Sequence, residues 1–122
     1  MPESVRRWDV FWAYLDPVAG AEQSGRRPVL VISNDAFNAR FPIVTVLPVV
    51  RLERKRRRVY PFEVDLPAAE AGLGWPGLVM PFQLRTLAKD RLRRRIGSLA
   101  DANTRARVED GLIDQLGIDF DA

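Results

Sequence analysis

The sequence predicts a mainly β fold, a small barrel finished by one C-terminal helix. Three observations carry this. Short β-rich runs recur from Trp8 to Leu99 with turn residues between them. A sustained helical stripe comes only at the end, in Val108, Leu112, Ile113 and Leu116. At 122 residues and 47% hydrophobic, the chain has the size of one domain with a single core, spanning 1–122 without repeat or internal boundary.

Trp8 to Leu15 is aromatic and apolar, with Asp9 near its start, and reads as a strand. Asp16-Pro17 opens a loop in which Gly25 permits a tight turn. Pro28, with fixed φ and no N–H, suits the first residue of a strand. The apolar run from Pro28 to Ser33 is expected to be buried on both faces. Asn34 to Arg40 fits one helical turn capped by Asn34 or Asp35. Ile43 to Val50 is a third β-rich run, in which Pro48 marks an edge or a bulge. Arg51 to Arg58 is expected as an exposed loop, and Val59 to Leu66 as a fourth strand. Pro67 to Gly77 reads as a loop with Leu73 and Trp75 folding back. Leu78 to Thr86 is strand-like, and Asp90 to Leu99 holds a connection and a strand ending at Ile96. In the final helix Asp101 is the cap, Gly111 costs roughly 1 kcal/mol against Ala, and Gly117 is the stop.

The formal net charge is +3, unevenly placed. Basic residues crowd Arg51 to Arg58 and Arg91 to Arg95; Glu109, Asp110, Asp114, Asp119 and Asp121 make the end acidic. A basic body with an acidic tail points to a polyanionic partner, most simply nucleic acid. The same clusters also fit solvated loops that deter edge-to-edge aggregation. There is no cysteine, hence no disulfide framework or thiolate zinc site. There is no histidine, which excludes a paired-imidazole ribonuclease and a histidine triad. No tight Asp/Glu cluster falls on the predicted strands, so no metal or other cofactor is expected. Val10 to Leu15 is too short for a secretion signal or a membrane span, and the chain reads as cytoplasmic. So small a barrel leaves apolar surface to cover, which predicts a homodimer.

Glu22-Gln23-Ser24-Gly25-Arg26-Arg27-Pro28 runs straight into Val29-Leu30-Val31-Ile32-Ser33-Asn34, so Arg27 is held where flexible loop becomes sheet. The loop from Asp16 to Pro28 resembles that of the MazF/PemK (Kid) toxin family, sequence-specific endoribonucleases of bacterial toxin–antitoxin pairs. Arg7-Trp8-Asp9-Val10-Phe11-Trp12, Val44 to Val50, Phe62-Glu63-Val64, Gln83-Leu84-Arg85-Thr86, Arg95 to Leu99 and Leu116-Gly117 extend the resemblance from Arg7 to Ile118. It implies an SH3-like barrel of the MazF/PemK (CcdB-like) type with a C-terminal helix. It further implies a homodimer that holds single-stranded RNA, including mRNA, across its groove, where a cognate MazE-like antitoxin blocks access. Cleavage would proceed by 2′-hydroxyl attack without a metal, leaving a 2′,3′-cyclic phosphate and a 5′-hydroxyl.

The resemblance puts Arg27 and Glu22 at the chemistry. A guanidinium pairs bidentately with phosphate oxygens and stabilises charge that develops in the attack. With a pKa above about 12 it is a poor base, so Arg27 acts by electrostatics and alignment. Glu22 orients Arg27, accepts a hydrogen bond from a base or ribose hydroxyl, or is a solvated loop acid. Gln23 and Ser24 are placed to read base edges, which are free in single-stranded RNA. Arg26, Gln83 and Arg85 are expected on the RNA, Arg85 on phosphate or in an ion pair at the barrel rim. Arg51 and Arg56, in the basic segment, suit phosphate contacts. Trp12, Trp75, Phe41 and Phe82 are expected in the core or an interface.

Three positions depart from the resemblance. Trp8 stands where glycine is usual, Phe82 where an acid is common, and Val50 where Thr or Ser supplies a hydroxyl. Thr45 faces the other way along a regular strand unless a bulge at Pro48 changes parity; Ser24 and Ser33 are other substitutes. Two further functions stay open: an RNA-binding homologue that no longer cuts, and a CcdB-like toxin acting on DNA gyrase.

Overall fold

Apolar residues at both parities of β1, β2 and β3 make a sheet buried on two faces, as the computed structural model shows. It describes residues 4–16, 19–22, 24–54 and 59–120. The strands are β1 (Asp9–Tyr14), β2 (Arg26–Val31), β3 (Ile43–Arg51), β4 (Val64–Leu66), β5 (Gly77–Val79), β6 (Arg85–Ala88) and β7 (Leu92–Ser98). The helices are α1 (Asp35–Arg40) and α2 (Ala102–Leu116). Every pairing is antiparallel. β1 lies between β2 and β7, and β3 pairs with β2, then with β6 over its first half and β5 over its second.

The strands β6, β3, β2, β1 and β7 curl into an open, SH3-like barrel. Its interior holds Phe11, Ala13, Leu15, Val29, Val46 and Leu92. Trp8, Val10, Leu30, Leu47 and Val49 point the opposite way and are covered by Ala71 and Leu73 of the 67–76 loop and by Val108 of α2. Each fully buried Val or Leu contributes roughly 1.5–3 kcal/mol, so the two cores together hold the sheet. No helix among the described residues is long and apolar enough to cross a membrane.

Several elements differ from expectation. β2 starts at Arg26, and at Pro28 it pairs only with β1, the ladder to β3 opening at Val29. Pro48 is neither edge nor bulge. It is buried mid-strand, opposite Val29, at the point where β3 exchanges β6 for β5. β3 runs to Arg51 and continues as a 3-10 turn, Leu52–Arg54; residues 55–58 lie outside those described. Of the expected strand Val59 to Leu66, only Val64–Leu66 pairs. Glu63 closes a turn before it, its carboxylate accepting from Tyr60 N at 2.8 Å and its own N–H reaching Tyr60 O. Leu78 to Thr86 is broken by a 3-10 turn at Pro81–Gln83, because proline cannot extend the ladder. β7 runs past Ile96 to Ser98.

Asn34 caps α1, accepting from Phe37 N. Asp101 caps α2, accepting from both the amide (2.9 Å) and the hydroxyl (2.7 Å) of Thr104. Those bonds hold its carboxyl below the ordinary 3.8. Gly117, at φ +68°, ends α2 in the left-handed conformation. Val108 is buried, Leu112 and Ile113 half-buried, and Leu116 exposed. Gly111 is more than a weak helix former: a Cβ there would lie 2.8 Å from Phe62 O and 3.0 Å from the Pro81 ring. Trp8 adopts φ +76°, a conformation suited to the glycine the resemblance has there. Its amide donates to Val31 O, its carbonyl accepts from Leu99 N, and its ring sits between the Arg7 and Arg105 guanidiniums.

Candidate active site

The β1–β2 ladder pairs Ala13 with Arg27 and Tyr14 with Arg26. Neighbouring arginines therefore leave β2 on opposite faces. Arg27 shares the inner face with Phe11 and Val29, at the mouth of the barrel; Arg26 shares the outer face, its guanidinium carbon 4.8 Å from the Trp12 ring centroid. The loop between them is pinned at both ends. Leu15 N donates to Gly25 O at 2.9 Å, where Gly25 turns through φ +75°. Arg85 donates to Leu15 O, and Arg91 to the carbonyls of Tyr14 and Asp16. Gln83 Nε2 donates to Ala21 O at 3.1 Å. The first loop and the Gln83–Thr86 motif, far apart in sequence, meet here. Glu22, Gln83 and Arg85 line a cleft of about 180 Å³ beside apolar Leu15, Val46 and Pro48.

Arg27 is half-buried on the same loop, its Nε donating to Ser24 O at 2.9 Å. No carboxylate pairs with it among the described residues. Glu22 does not orient it. That carboxylate folds back on its own turn, accepting from Ala19 N at 3.4 Å while Glu22 N donates to Ala19 O. Arg51 lies apart, 4.9 Å over the Trp75 ring and paired with Glu53 at 3.1 Å. Gln23 and Arg56 lie outside the described residues. Of the aromatics expected in the core or an interface, Trp12, Trp75 and Phe82 are half-buried and Phe41 is exposed, stacked on Phe37. Among the described residues no group of three or more carboxylates gathers to hold a metal ion.

Val50 belongs to this end of the barrel. The β2–β3 ladder pairs Val31, Leu30 and Val29 with Val46, Leu47 and Pro48. The ladder ends there, and Val50 itself pairs with Leu78 of β5; by alternation along β3 it lies on the sheet face that Arg27 and Val29 share. Val50 is 8% exposed and packs on Leu78 and Met80. Because this ladder is regular at Pro48, Thr45 keeps the opposite face, its hydroxyl 3.4 Å from that of Thr86. Ser33 is committed to Asn38 and Thr45 near α1. Neither replaces a hydroxyl at position 50; Ser24 meets Arg27 through its backbone carbonyl. Arg91 was not singled out in the sequence, where it is one cation of a run. Only the turn of β7 back to the end of β1 gives it a role.

A family model for PemK-like, MazF-like toxins of type II toxin–antitoxin systems matches residues 6–116, a span that contains the whole cleft. The chain belongs to this family. Endoribonuclease EndoA of Bacillus subtilis (strain 168) is 37% identical over 97 residues, 80% of this MazF-like chain and 82% of that protein. MazF (Form-I) from Deinococcus radiodurans superposes with a TM-score of 0.79 at 34% identity, covering 96% of this chain and 100% of that one. MazE–MazF (Form-III) from the same organism gives a TM-score of 0.73 at 32% identity over 94% and 98% of the two chains.

Proposed function

We propose that this MazF-like chain, a single domain, is the toxin of a type II pair and a sequence-specific, metal-independent endoribonuclease. It acts as a cytoplasmic homodimer on single-stranded RNA and is held in check by a MazE-like antitoxin. The observation that carries this is Arg27, a guanidinium fixed by Ser24 O at the start of β2 with no carboxylate paired to it among the described residues, on the same first loop whose Glu22 lines the cleft with Gln83 and Arg85. The relatives support it by name, EndoA as an endoribonuclease and the Deinococcus MazF as a partner of MazE.

The ribose 2′-oxygen attacks the adjacent phosphorus. The O2′–P bond forms as the P–O5′ bond breaks; the 2′-hydroxyl loses its proton and the departing 5′-oxygen gains one. Arg27 stabilises the charge building on the phosphate oxygens. Glu22 accepts the hydrogen bond of the 2′-hydroxyl, while Gln83 and Arg85 seat the nucleotide and Ser24 with Gln23 reads its base. Arg26, Arg51 and Arg56 bind the flanking RNA. With neither His nor Cys in the chain, no imidazole or thiolate takes part, and Arg27 supplies charge stabilisation rather than proton transfer.

Incubating purified protein with a long RNA, with and without EDTA, tests this. Cleavage should persist in EDTA and yield 5′-hydroxyl ends, and Arg27→Ala should slow it about 10²–10³-fold. Loss of wild-type cleavage in EDTA overturns the mechanism. Buried, apolar Val50 on the sheet face of Arg27 favours a second reading, an RNA binder that no longer cuts; RNA retained without scission would select it.

A further inference from the structure

The outer face of β1 changes character halfway along. Trp8 and Val10 are buried under the 67–76 loop and α2. Trp12 and Tyr14, continuing the same face, are uncovered: Trp12 is half-buried and Tyr14 is 45% exposed. As alternate residues of one strand they stand about 7 Å apart. Each carries an arginine from the strand flanking β1 on one side. Arg26 of β2 lies 4.8 Å over Trp12, and Arg93 of β7 lies 4.9 Å over Tyr14. Opposite Phe11 and Ala13 stand Arg95 and Leu92, so three steps of β7 span two of β1. Such a bulge re-aims side chains, here Arg93 onto Tyr14. Arg91 reaches the Tyr14 carbonyl beside them, and Arg94, next to Arg93 in β7, is exposed. Among the described residues no carboxylate pairs with Arg26, Arg91, Arg93 or Arg94.

We propose that this face is a track for the single-stranded RNA that flanks the cleaved phosphate. The proposal rests on the endoribonuclease reading and adds Trp12, Tyr14 and Arg93 to it. Flat guanidiniums backed by aromatic rings are platforms on which unpaired bases stack, and their N–H edges bond phosphate. Stacking of this kind is tolerant of sequence, so the track adds affinity without setting the cleavage motif. Its connection to the chemistry is built into β2: Arg27 faces the cleft mouth and the next residue, Arg26, faces the track. The cationic rim favours a polyanion over an apolar protein segment.

The test uses two labelled RNAs carrying the cleavage motif, mapped first on a long RNA, with a 2′-deoxy nucleotide to block scission. One ends beside the cleaved bond; the other adds single-stranded uridine flanks of about eight nucleotides. Fluorescence anisotropy gives Kd for wild type and for Tyr14→Ala/Arg93→Ala. The flanks should tighten wild-type binding roughly tenfold, and the double variant should lose most of that gain. Arg93→Ala alone, which leaves the ring in place, should lower the salt slope on the long RNA by about 0.7 for a lost phosphate contact. Equal losses on both RNAs, or a flank gain that survives in the variant, overturn the track. Unchanged RNA affinity with weakened antitoxin binding assigns the face to the protein partner and also overturns it. Wild type that cuts no site in the unmodified long RNA and binds neither labelled RNA overturns the endoribonuclease reading and the track together, which separates that failure from failure of the track alone.

Discussion

β1 has arginines at both ends, and the two groups are held in different ways. Before the strand, Arg6 pairs with Asp35 at 3.2 Å, Arg7 with Glu109 at 3.2 Å, and Arg95 with buried Asp9 at 3.1 Å. Asp9 also accepts from Arg6 N at 3.0 Å. After the strand, Arg26 and Arg93 lie on rings, Arg27 on the Ser24 carbonyl, and Arg91 on the carbonyls of Tyr14 and Asp16. A carboxylate positions a guanidinium and cancels its charge. A carbonyl or a ring positions it and leaves the charge in place. The same residue type therefore fastens the fold at one end and stays available to a polyanion at the other.

The sharpest way to break this contrast is to remove the carboxylate at the paired end. Asp9→Ala strips Arg95 and the Arg6 amide of their partner and should cost about 2 kcal/mol of stability, read as a lower thermal midpoint. A midpoint equal to wild type would mean that the pairing there is ornamental. At the other end, Val50→Thr adds a hydroxyl on the sheet face of Arg27. Cleavage should rise severalfold at unchanged RNA sites, while burial against Leu78 and Met80 costs about 1 kcal/mol. A lower midpoint with no faster cleavage would assign position 50 to packing alone. The smallest effect belongs to the cap of α2, which begins beside the paired end. The Asp101 carboxyl is held below 3.8 in the folded chain, so its contribution is present above the unfolded value and is lost as pH falls through the folded one. Asp101→Asn should flatten the decline in midpoint between about pH 5 and about pH 2; an unaltered decline would show that other carboxylates set it.

Much of the fold was legible in the sequence where local signals were strong. The run from Pro28 to Ser33, the caps Asn34 and Asp101 and the stop at Gly117 follow from propensity and turn chemistry. The failures came where tertiary contacts decide. Pro48 looks like an edge residue, yet it sits mid-sheet because β3 changes partners there. Gly111 reads as a helix defect until Phe62 O and Pro81 are found against it. Within the site, the resemblance put the first loop, Gln83 and Arg85 on the RNA, and their meeting in one cleft emerges only from the fold. Of the readings open for Glu22, orienting Arg27 is not the one seen, because a four-residue turn satisfies that acid locally. Trp12 was expected in the core or an interface; the uneven cover over β1 leaves it half-buried at the surface.

The contrast between the two ends is tested most directly by measuring cleavage rate and thermal midpoint on the same preparations of wild type, Asp9→Ala and Arg27→Ala. The account predicts a crossing: Arg27→Ala loses about 10²–10³ in rate and keeps its midpoint, and Asp9→Ala loses midpoint and keeps its rate at a temperature where it is folded. Two variants that fall together in both measurements, or an Arg27→Ala protein that still cuts RNA at the wild-type rate, would contradict it.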